Sequence, residues 1–349
     1  MVEISVVMPT YNTAVDILKD AVESILGQTY GGFEFIIIDE GSENGSCAYL
    51  NALSDERIRL IRNPGNFGVT KSLNIGFAAA KGRYIARMDA DDVAYPKRLE
   101  KQLAYMKRHP DVIVCGTNVR YIGDAIGVSA GRIRDMESYR IRALFRNPGP
   151  IHSTAFFDRE QLLRHHLTYD ETLPYAQDYG LWVEIAEHGK VSLLPEVMQD
   201  FRIHAQQVTR TKREKQIQCD QATQKKLLDA LLGSVSDEEL QMHYAYSRGD
   251  APNAEAVRNG MAWFERLIAA NAKKRIYEPR KFKRFVRGCV CVQLIRGSLP
   301  KSATVLQKMK AYLRYIPLST VAWTLAGTCV AKCRRALQAA PTQKGGSDL

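Results

Sequence analysis

The chain has 349 residues, 45% apolar and 25% charged, a balance that suits a folded protein with a large core and excludes a disordered or fibrous one. Its net charge of +11 is unevenly held: residues 271–349 carry 17 Lys and Arg against two acids, a local +15, so residues 1–270 stand at −4. Seven cysteines, odd in number and without C-x-x-C spacing, argue against a disulfide framework or a zinc site, and "MVEISVVMPTYN" lacks the features of a signal peptide; reduced thiols in a cytoplasmic protein are expected.

In chain order, "ISVVM" (4–8) predicts a strand stopped by Pro9. A helix follows, with Thr13 and Asp16 as its capping box and Val15, Leu18, Val22, Ile25 and Leu26 on one face. Strands are expected at 33–38, ending at Asp39, and at 58–62, with a helix over 69–80. "RYIARM" (83–88) is the fourth strand and ends at Asp89; Pro96 opens the next helix, with Leu99, Leu103 and Met106 inward. Residues 112–115 make a fifth strand, 117–150 are expected to be connecting strands and loops, and 177–189 reads as a helix ended by Gly189. From about 212 onward the pattern is helical and increasingly basic.

Strands alternating with helices imply a mainly parallel sheet covered on both faces, with ligands beyond the carboxyl ends of the strands. Thr10 and Asn12, Asp39, and Asp89 with Asp91 all follow apolar strands, so they are expected at one edge. The acidic stretch "DADD" (89–92) has two readings. One is a solvated turn before Pro96. The other is a partial cage for a hard divalent cation, which takes one or two carboxylates together with substrate phosphates.

The stretches "SVVMPTYN", "ESILGQTYGGFEFIIIDEGS", "NPGNFGVTKSLNIGFAAAKGRYIARMDADD" and "QDYGLW" resemble glycosyltransferase family 2, in that family's order and spacing, over about residues 3–210. The resemblance implies the GT-A fold, α/β and Rossmann-like with a central sheet flanked by helices, and inverting transfer of a sugar from a nucleotide diphospho-sugar to a hydroxyl. It implies that Thr10 and Asn12 lie against the nucleoside and that Asp39 accepts from the base, which suits the imide N–H of uracil or thymine; a UDP-sugar is the favoured donor. Gly65, Asn66 and Gly68 would form a loop under the nucleotide, with Lys71 nearby. Asp89 and Asp91 would be the D-x-D, Asp91 the direct ligand of Mn²⁺ or Mg²⁺ and Asp89 on the ribose or the ion, while Asp92 would orient neighbours or cap a helix. Asp178 would be the catalytic base or a helix N-cap, Trp182 core or the lip of the acceptor site. In "FRIHAQQVT" (201–209), which resembles the segment closing over the donor, His204 would complete the metal shell and Arg202 would pair with phosphate. Three positions depart from the family's common pattern: Glu40 stands where a second Asp is usual and keeps the charge, Gln177 replaces an acidic residue, and Gly180 occupies another frequent Asp position.

The expected organisation is a catalytic domain at 1–210, a helical linker region at 211–270 and a basic amphipathic helical tail at 271–349 whose last residues are disordered. In the tail, Phe282, Phe285, Val286, Cys289 and Val290 form one apolar stripe and Val305, Met309, Tyr312, Leu313 and Ile316 another. Residues 315–331 are uncharged but too short for a comfortable span. Such helices suit the anionic inner face of a membrane or packing against protein. No nucleic-acid motif accompanies them. The resemblance points to an acceptor that is a glycan or a lipid-linked saccharide of the cell surface, against the alternative of a non-catalytic nucleotide-sugar-binding scaffold. A dehydrogenase is excluded because no G-x-G-x-x-G follows the first strand, and a P-loop hydrolase because no G-x-x-x-x-G-K-[ST] occurs.

Overall fold

The computed structural model describes residues 2–204 and 211–299, together with Gln307. Strand β1 (Ile4–Thr10) is buried along its whole length and runs past Pro9, two residues further than its apolar run predicts. The reason is register. The Glu3 and Val7 carbonyls accept from Tyr84 and Met88, so odd residues of β1 face strand β4 (Tyr84–Arg87), whose last partner is Val7. Pro9 therefore turns its missing N–H to a side where that neighbour has ended, and it still pairs with Ile38 of β2 (Phe33–Asp39).

Helix α1 (Val15–Leu26) buries Leu18, Ala21, Val22 and Ile25 against β1 and β2. The expected capping box does not form. Ala14 is the N-cap, and the Thr13 hydroxyl instead meets that of Thr10 at 3.0 Å; Asp16 still lies in the first turn, where its charge suits the helix dipole. Helix α2 (Gly45–Ala52), strand β3 (Ile58–Arg62) and helix α3 (Val69–Ala79) follow. At Gly76 a Cβ would stand 2.4 Å from Val7 and 2.9 Å from Ile38, so only glycine lets α3 lie this close to the sheet. That approach fixes the Gly65–Gly68 loop at the head of α3.

The sheet runs β3-β2-β1-β4-β8-β6-β9-β5, with β7 beside β6. Strands β3, β2, β1 and β4 are parallel, as are the long strands β6 (Val112–Gly123) and β9 (Lys190–Ile203). The short β8 (Phe156–Asp158) joins the two sets by antiparallel pairing, and β5 (Val93–Ala94) closes on β9. The direction of winding reverses at β1, between β2 and β4, which opens a crevice at the carboxyl ends of those strands. Two expectations need correction. Helix α4 (Arg98–Arg108) starts two residues after Pro96, which sits in the turn before it and accepts through its carbonyl from the Thr29 N–H. Residues 117–150 hold the expected strand and loop, with β6 continuing to Gly123 and pairing with β7 (Gly127–Val128), but they also hold helix α5 (Met136–Ala143), which that expectation omitted. Helices α6 (Arg159–Arg164) and α7 (Gln177–His188) complete the layers over the sheet.

The described residues fall in two compact units, divided between Lys226 and Leu227 within helix α8 (Arg213–Leu232). In the second unit, helices α9 (Asp237–Ser247) and α10 (Ala254–Lys274) precede α11 (Pro279–Phe285) and a π-helical stretch, Val286–Cys291. A short helix, α12 (Val292–Gly297), follows. Phe282 and Val286, on the apolar stripe expected to meet either a membrane or protein, are wholly buried inside this unit, and Phe282 stacks on Tyr277 at 5.2 Å. Burying such a ring is worth about 2–3 kcal/mol, so packing takes that face. The opposite face keeps Arg280, Lys281, Lys283 and Arg284 exposed, beside exposed Lys273, Lys274 and Arg275 at the end of α10. No helix among the described residues is long and apolar enough to cross a membrane. Residues 205–210 and, apart from Gln307, the two apolar stretches at 305–316 and 315–331 lie outside the described residues.

Candidate active site

Thr10 and Asp39 end β1 and β2 directly opposite each other, both buried. Asn12 has a left-handed backbone (φ 50°), a conformation asparagine tolerates better than most. Its N–H donates to Ser42 Oγ at 2.9 Å and its Oδ1 accepts from the Glu43 N–H at 2.9 Å, while Asp39 Oδ1 accepts from the Ser42 N–H at 3.0 Å. The loops after β1 and β2 are thus laced into one wall. Gly68 (φ +85°) opens α3, and its N–H is shared between Asn66 Oδ1 at 2.9 Å and Glu40 Oε2 at 2.8 Å. Burial pushes the Glu40 carboxyl up, and the Gly68 bond opposes that shift. Lys71 is not drawn to the acidic residues; its Nζ rests 4.3 Å from the centre of the Phe67 ring.

The acidic stretch lies at the same edge, just past β4. One carboxylate oxygen from each of Asp89, Asp91 and Asp92 falls within 4.8 Å of the others. Their environments differ. Asp92 is buried and accepts from Gln199 Nε2 at 2.7 Å and the Arg202 N–H at 2.9 Å; burial and the neighbouring charges of Asp89 and Asp91 push its carboxyl well up. Asp89 and Asp91 are half-buried. Asp89 pairs with the Arg87 guanidinium, and Asp91 Oδ2 lies 2.9 Å from His204 Nε2, at the end of β9. Burial and the Asp89 charge raise the Asp91 carboxyl, and His204 counteracts them. Arg202 donates through Nε to the Asp91 carbonyl at 2.9 Å and holds Asp20 at 3.5 Å. Two half-buried carboxylates and an imidazole form a donor set suited to a hard divalent cation, with Asp92 already committed inside the protein.

Two buried arginines answer much of the negative charge. Arg98 has no exposed surface and donates to Gln199 Oε1 at 2.7 Å, the Arg87 carbonyl at 2.6 Å and Gln102 Oε1 at 3.1 Å. Burial draws its guanidinium down to about 10, still protonated at neutral pH, and the Asp92 charge supports it. Arg87, also buried, pairs with Asp89, but its Nε and Nη1 have no hydrogen-bond partner among the described residues.

Asp178 is the second residue of α7 and half-buried; Ala176 is the N-cap, so the capping alternative is set aside. Burial raises its carboxyl, Asn147 Nδ2 opposes this by donating to Oδ2 at 2.8 Å, and the Arg87 charge favours the anion as well. Arg87 thus acts electrostatically on Asp89 and on Asp178. Trp182 is wholly buried, stacked on Phe157 at 5.7 Å, as core. At Gly180, where an acid is frequent, a Cβ would stand 2.8 Å from Leu173 Cδ1, so a side chain there would require that leucine to shift. Arg87, Arg98, Gln199, Asn147 and the clamp made by Glu40 were not singled out from sequence. Only Arg87 carried a signal there: an arginine inside an apolar strand, two residues before an acid.

The description "Glycosyl transferase family 2" belongs to the family model that matches residues 5–166. An uncharacterized glycosyltransferase of Haemophilus influenzae is 32% identical over 222 residues, covering 59% of this chain and 67% of that protein. The amylovoran biosynthesis glycosyltransferase AmsE of Erwinia amylovora is 28% identical over 216 residues, covering 59% and 78%. Among solved structures, S. aureus TarS 1-349 in complex with UDP-GlcNAc superposes with a TM-score of 0.57 at 14% identity, over 85% of this chain and 90% of that one. The mannosyltransferase PcManGT of Pyrobaculum calidifontis, in complex with GDP-Man and Mn²⁺, gives 0.53 at 17% identity, over 85% and 86%. At those identities the likeness establishes the GT-A fold and nothing finer.

Proposed function

This chain belongs to glycosyltransferase family 2, and on that premise we propose that it is an inverting, metal-dependent enzyme that moves a hexosyl or N-acetylhexosaminyl group from a UDP-sugar to a hydroxyl of a glycan or lipid-linked saccharide in surface polysaccharide synthesis. The observation that supports this most is the convergence at one sheet edge: Thr10 and Asp39 side by side, the Asp89–Asp91–His204 donor set beside them, and Asp178 within the field of the same Arg87 that pairs with Asp89. The AmsE likeness supports a polysaccharide acceptor. In this reading Thr10, Asn12, Asn66, Gly68 and Lys71 border the nucleotide, Asp39 accepts from the uracil imide, and Arg202 lies at the diphosphate end. Asp178 takes the proton of the acceptor hydroxyl as its oxygen bonds to the anomeric carbon from the face opposite the diphosphate. The carbon–oxygen bond to the diphosphate breaks in the same step, which inverts the configuration. Asp89, Asp91 and His204 would hold Mn²⁺ or Mg²⁺, whose chemistry is to offset charge on the departing diphosphate.

Donor identity is tested by thermal unfolding with a panel of nucleotide sugars, with and without Mn²⁺. A UDP-sugar at a hundredfold excess over its Kd stabilises by about 2.7 kcal/mol, a shift of several degrees that requires the metal. Stabilisation by GDP-sugars instead overturns the assignment of the base to uracil.

The enzyme is further proposed to sit at the cytoplasmic face of the membrane, held by charge rather than by inserting Phe282 and Val286. The exposed cations of α10 and α11 support this reading. Full-length protein is expected to sediment with vesicles containing phosphatidylglycerol but not with pure phosphatidylcholine, and to be released by about 1 M salt. Replacing Lys273, Arg280 and Lys283 together by Ala is expected to weaken sedimentation about a hundredfold, at roughly 1 kcal/mol per charge. Equal binding to neutral vesicles removes the electrostatic attachment.

A further inference from the structure

Asn147 lies between α5 and α6, in the segment "RNPGP" (146–150), and its side chain is part of an ordered contact with α7. The Gly149 N–H donates to Asn147 Oδ1 at 3.0 Å, which fixes which end of the amide is which. The NH₂ end must then face Asp178, and it donates to Oδ2 at 2.8 Å. Gly149 itself lies flat on Trp182: a Cβ would stand 2.1 Å from Cδ1 and 2.3 Å from Nε1 of that indole, so no other residue allows the approach. Trp182 is wholly buried and one helical turn after Asp178 on α7. A further tie runs from the Tyr179 hydroxyl to the carbonyl of Ala143, the last residue of α5, so the chain entering the segment is anchored to α7 as well.

We infer that Asn147 is a positioning residue for Asp178, fixing the rotation of its carboxylate toward the acceptor hydroxyl and holding it in the anionic form. The inference rests on Asp178 being the base. The physical ground is that an amide N–H on a carboxylate oxygen stabilises the anion and not the neutral acid. Burial alone would protonate Asp178 at higher pH, and the Asn147 bond works against it. Since the amide is locked by Gly149 and Gly149 by Trp182, the donor arrives pre-oriented, with little entropy left to lose. The "NPG" triplet thereby has a function for each end: an amide for the base and a missing side chain for the indole.

The test is the pH profile of kcat for Asn147→Ala and Asn147→Asp beside the wild type, with donor Kd measured in parallel. Asn147 is exposed, so either variant should fold, and an unchanged donor Kd verifies that. In Asn147→Ala the acid limb of kcat is expected to move up by about one pH unit, so turnover near that limb falls about tenfold and recovers at higher pH. Asn147→Asp sets a second carboxylate beside the first and is expected to move the limb further in the same direction. A purely structural role would lower kcat at every pH alike without moving the limb. Asp178→Asn separates the two failures. If that variant is inactive while Asn147→Ala keeps the wild-type limb and kcat, the positioning role is overturned and the base stands. If Asp178→Asn turns over normally, both are overturned.

Discussion

Asp178→Asn is expected to lower kcat by about three orders of magnitude while the donor Kd stays within about twofold of wild type, since general-base assistance contributes roughly 10²–10⁴. The substitution is close to isosteric. The new side chain can still accept from Asn147 Nδ2 and still sits in the first turn of α7, so packing around buried Tyr179 and Trp182 has no reason to change. What it loses is the capacity to take a proton. In that role burial raises the Asp178 carboxyl, which strengthens it as a base, while Asn147 and the Arg87 charge oppose the rise and favour the anion. The sign of the pH dependence follows. Only the anion is competent, so wild-type turnover falls as pH drops through the raised pKa. The residual turnover of Asp178→Asn has no such limb. Initial-rate measurements with saturating donor across acid and neutral pH would check both the size and the shape, and near-normal turnover at any pH in that range removes Asp178 as base.

The site was legible in the sequence wherever a side chain sits directly after a strand. Thr10, Asp39 and Asp89 could be assigned to one edge because alternating strands and helices imply parallel strands; the register that sets Thr10 opposite Asp39 came from the structure. What stayed hidden came from partners distant in the chain. Gln199 reads as a polar residue in β9, yet it donates to Asp92 at 2.7 Å across 107 positions and accepts from Arg98 across 101. Arg98 reads as a first-turn helix residue, for which exposure is the ordinary expectation, and it is instead the buried cation behind the acidic stretch. Glu40 keeps the charge of the usual Asp, but its longer side chain reaches the Gly68 N–H and holds the loop at the head of α3. The amphipathic pattern of α11 left its partner open for a related reason. Periodicity marks a face that must leave water, and it does not distinguish a bilayer from the Tyr277 ring that covers Phe282.

The second large effect separates the three aspartates. Chelation of divalent metal is expected to reduce transfer by at least about a thousandfold, because the diphosphate would then depart carrying uncompensated charge. Asp91→Asn should do nearly the same, together with a rise of about a hundredfold in the Mn²⁺ dissociation constant read by calorimetry, since it removes the carboxylate that faces His204. Asp92→Asn should behave differently. That carboxylate is buried, and it accepts hydrogen bonds from within the protein, among them those from Gln199 Nε2 and the Arg202 N–H. Turning an amide NH₂ toward either donor leaves one buried group unsatisfied, a cost of about 1–3 kcal/mol in stability. Loss of the Asp92 charge beside the buried Arg98 guanidinium adds to this cost. Unfolding should therefore shift to lower denaturant while Mn²⁺ affinity changes only a few fold. Asp89 stands between the two cases, because it gives part of its charge to Arg87. Full activity in excess chelator would overturn the metal assignment outright. Equal losses of Mn²⁺ affinity in Asp91→Asn and Asp92→Asn would leave the metal but overturn the division of labour, by making Asp92 a ligand in spite of its buried partners.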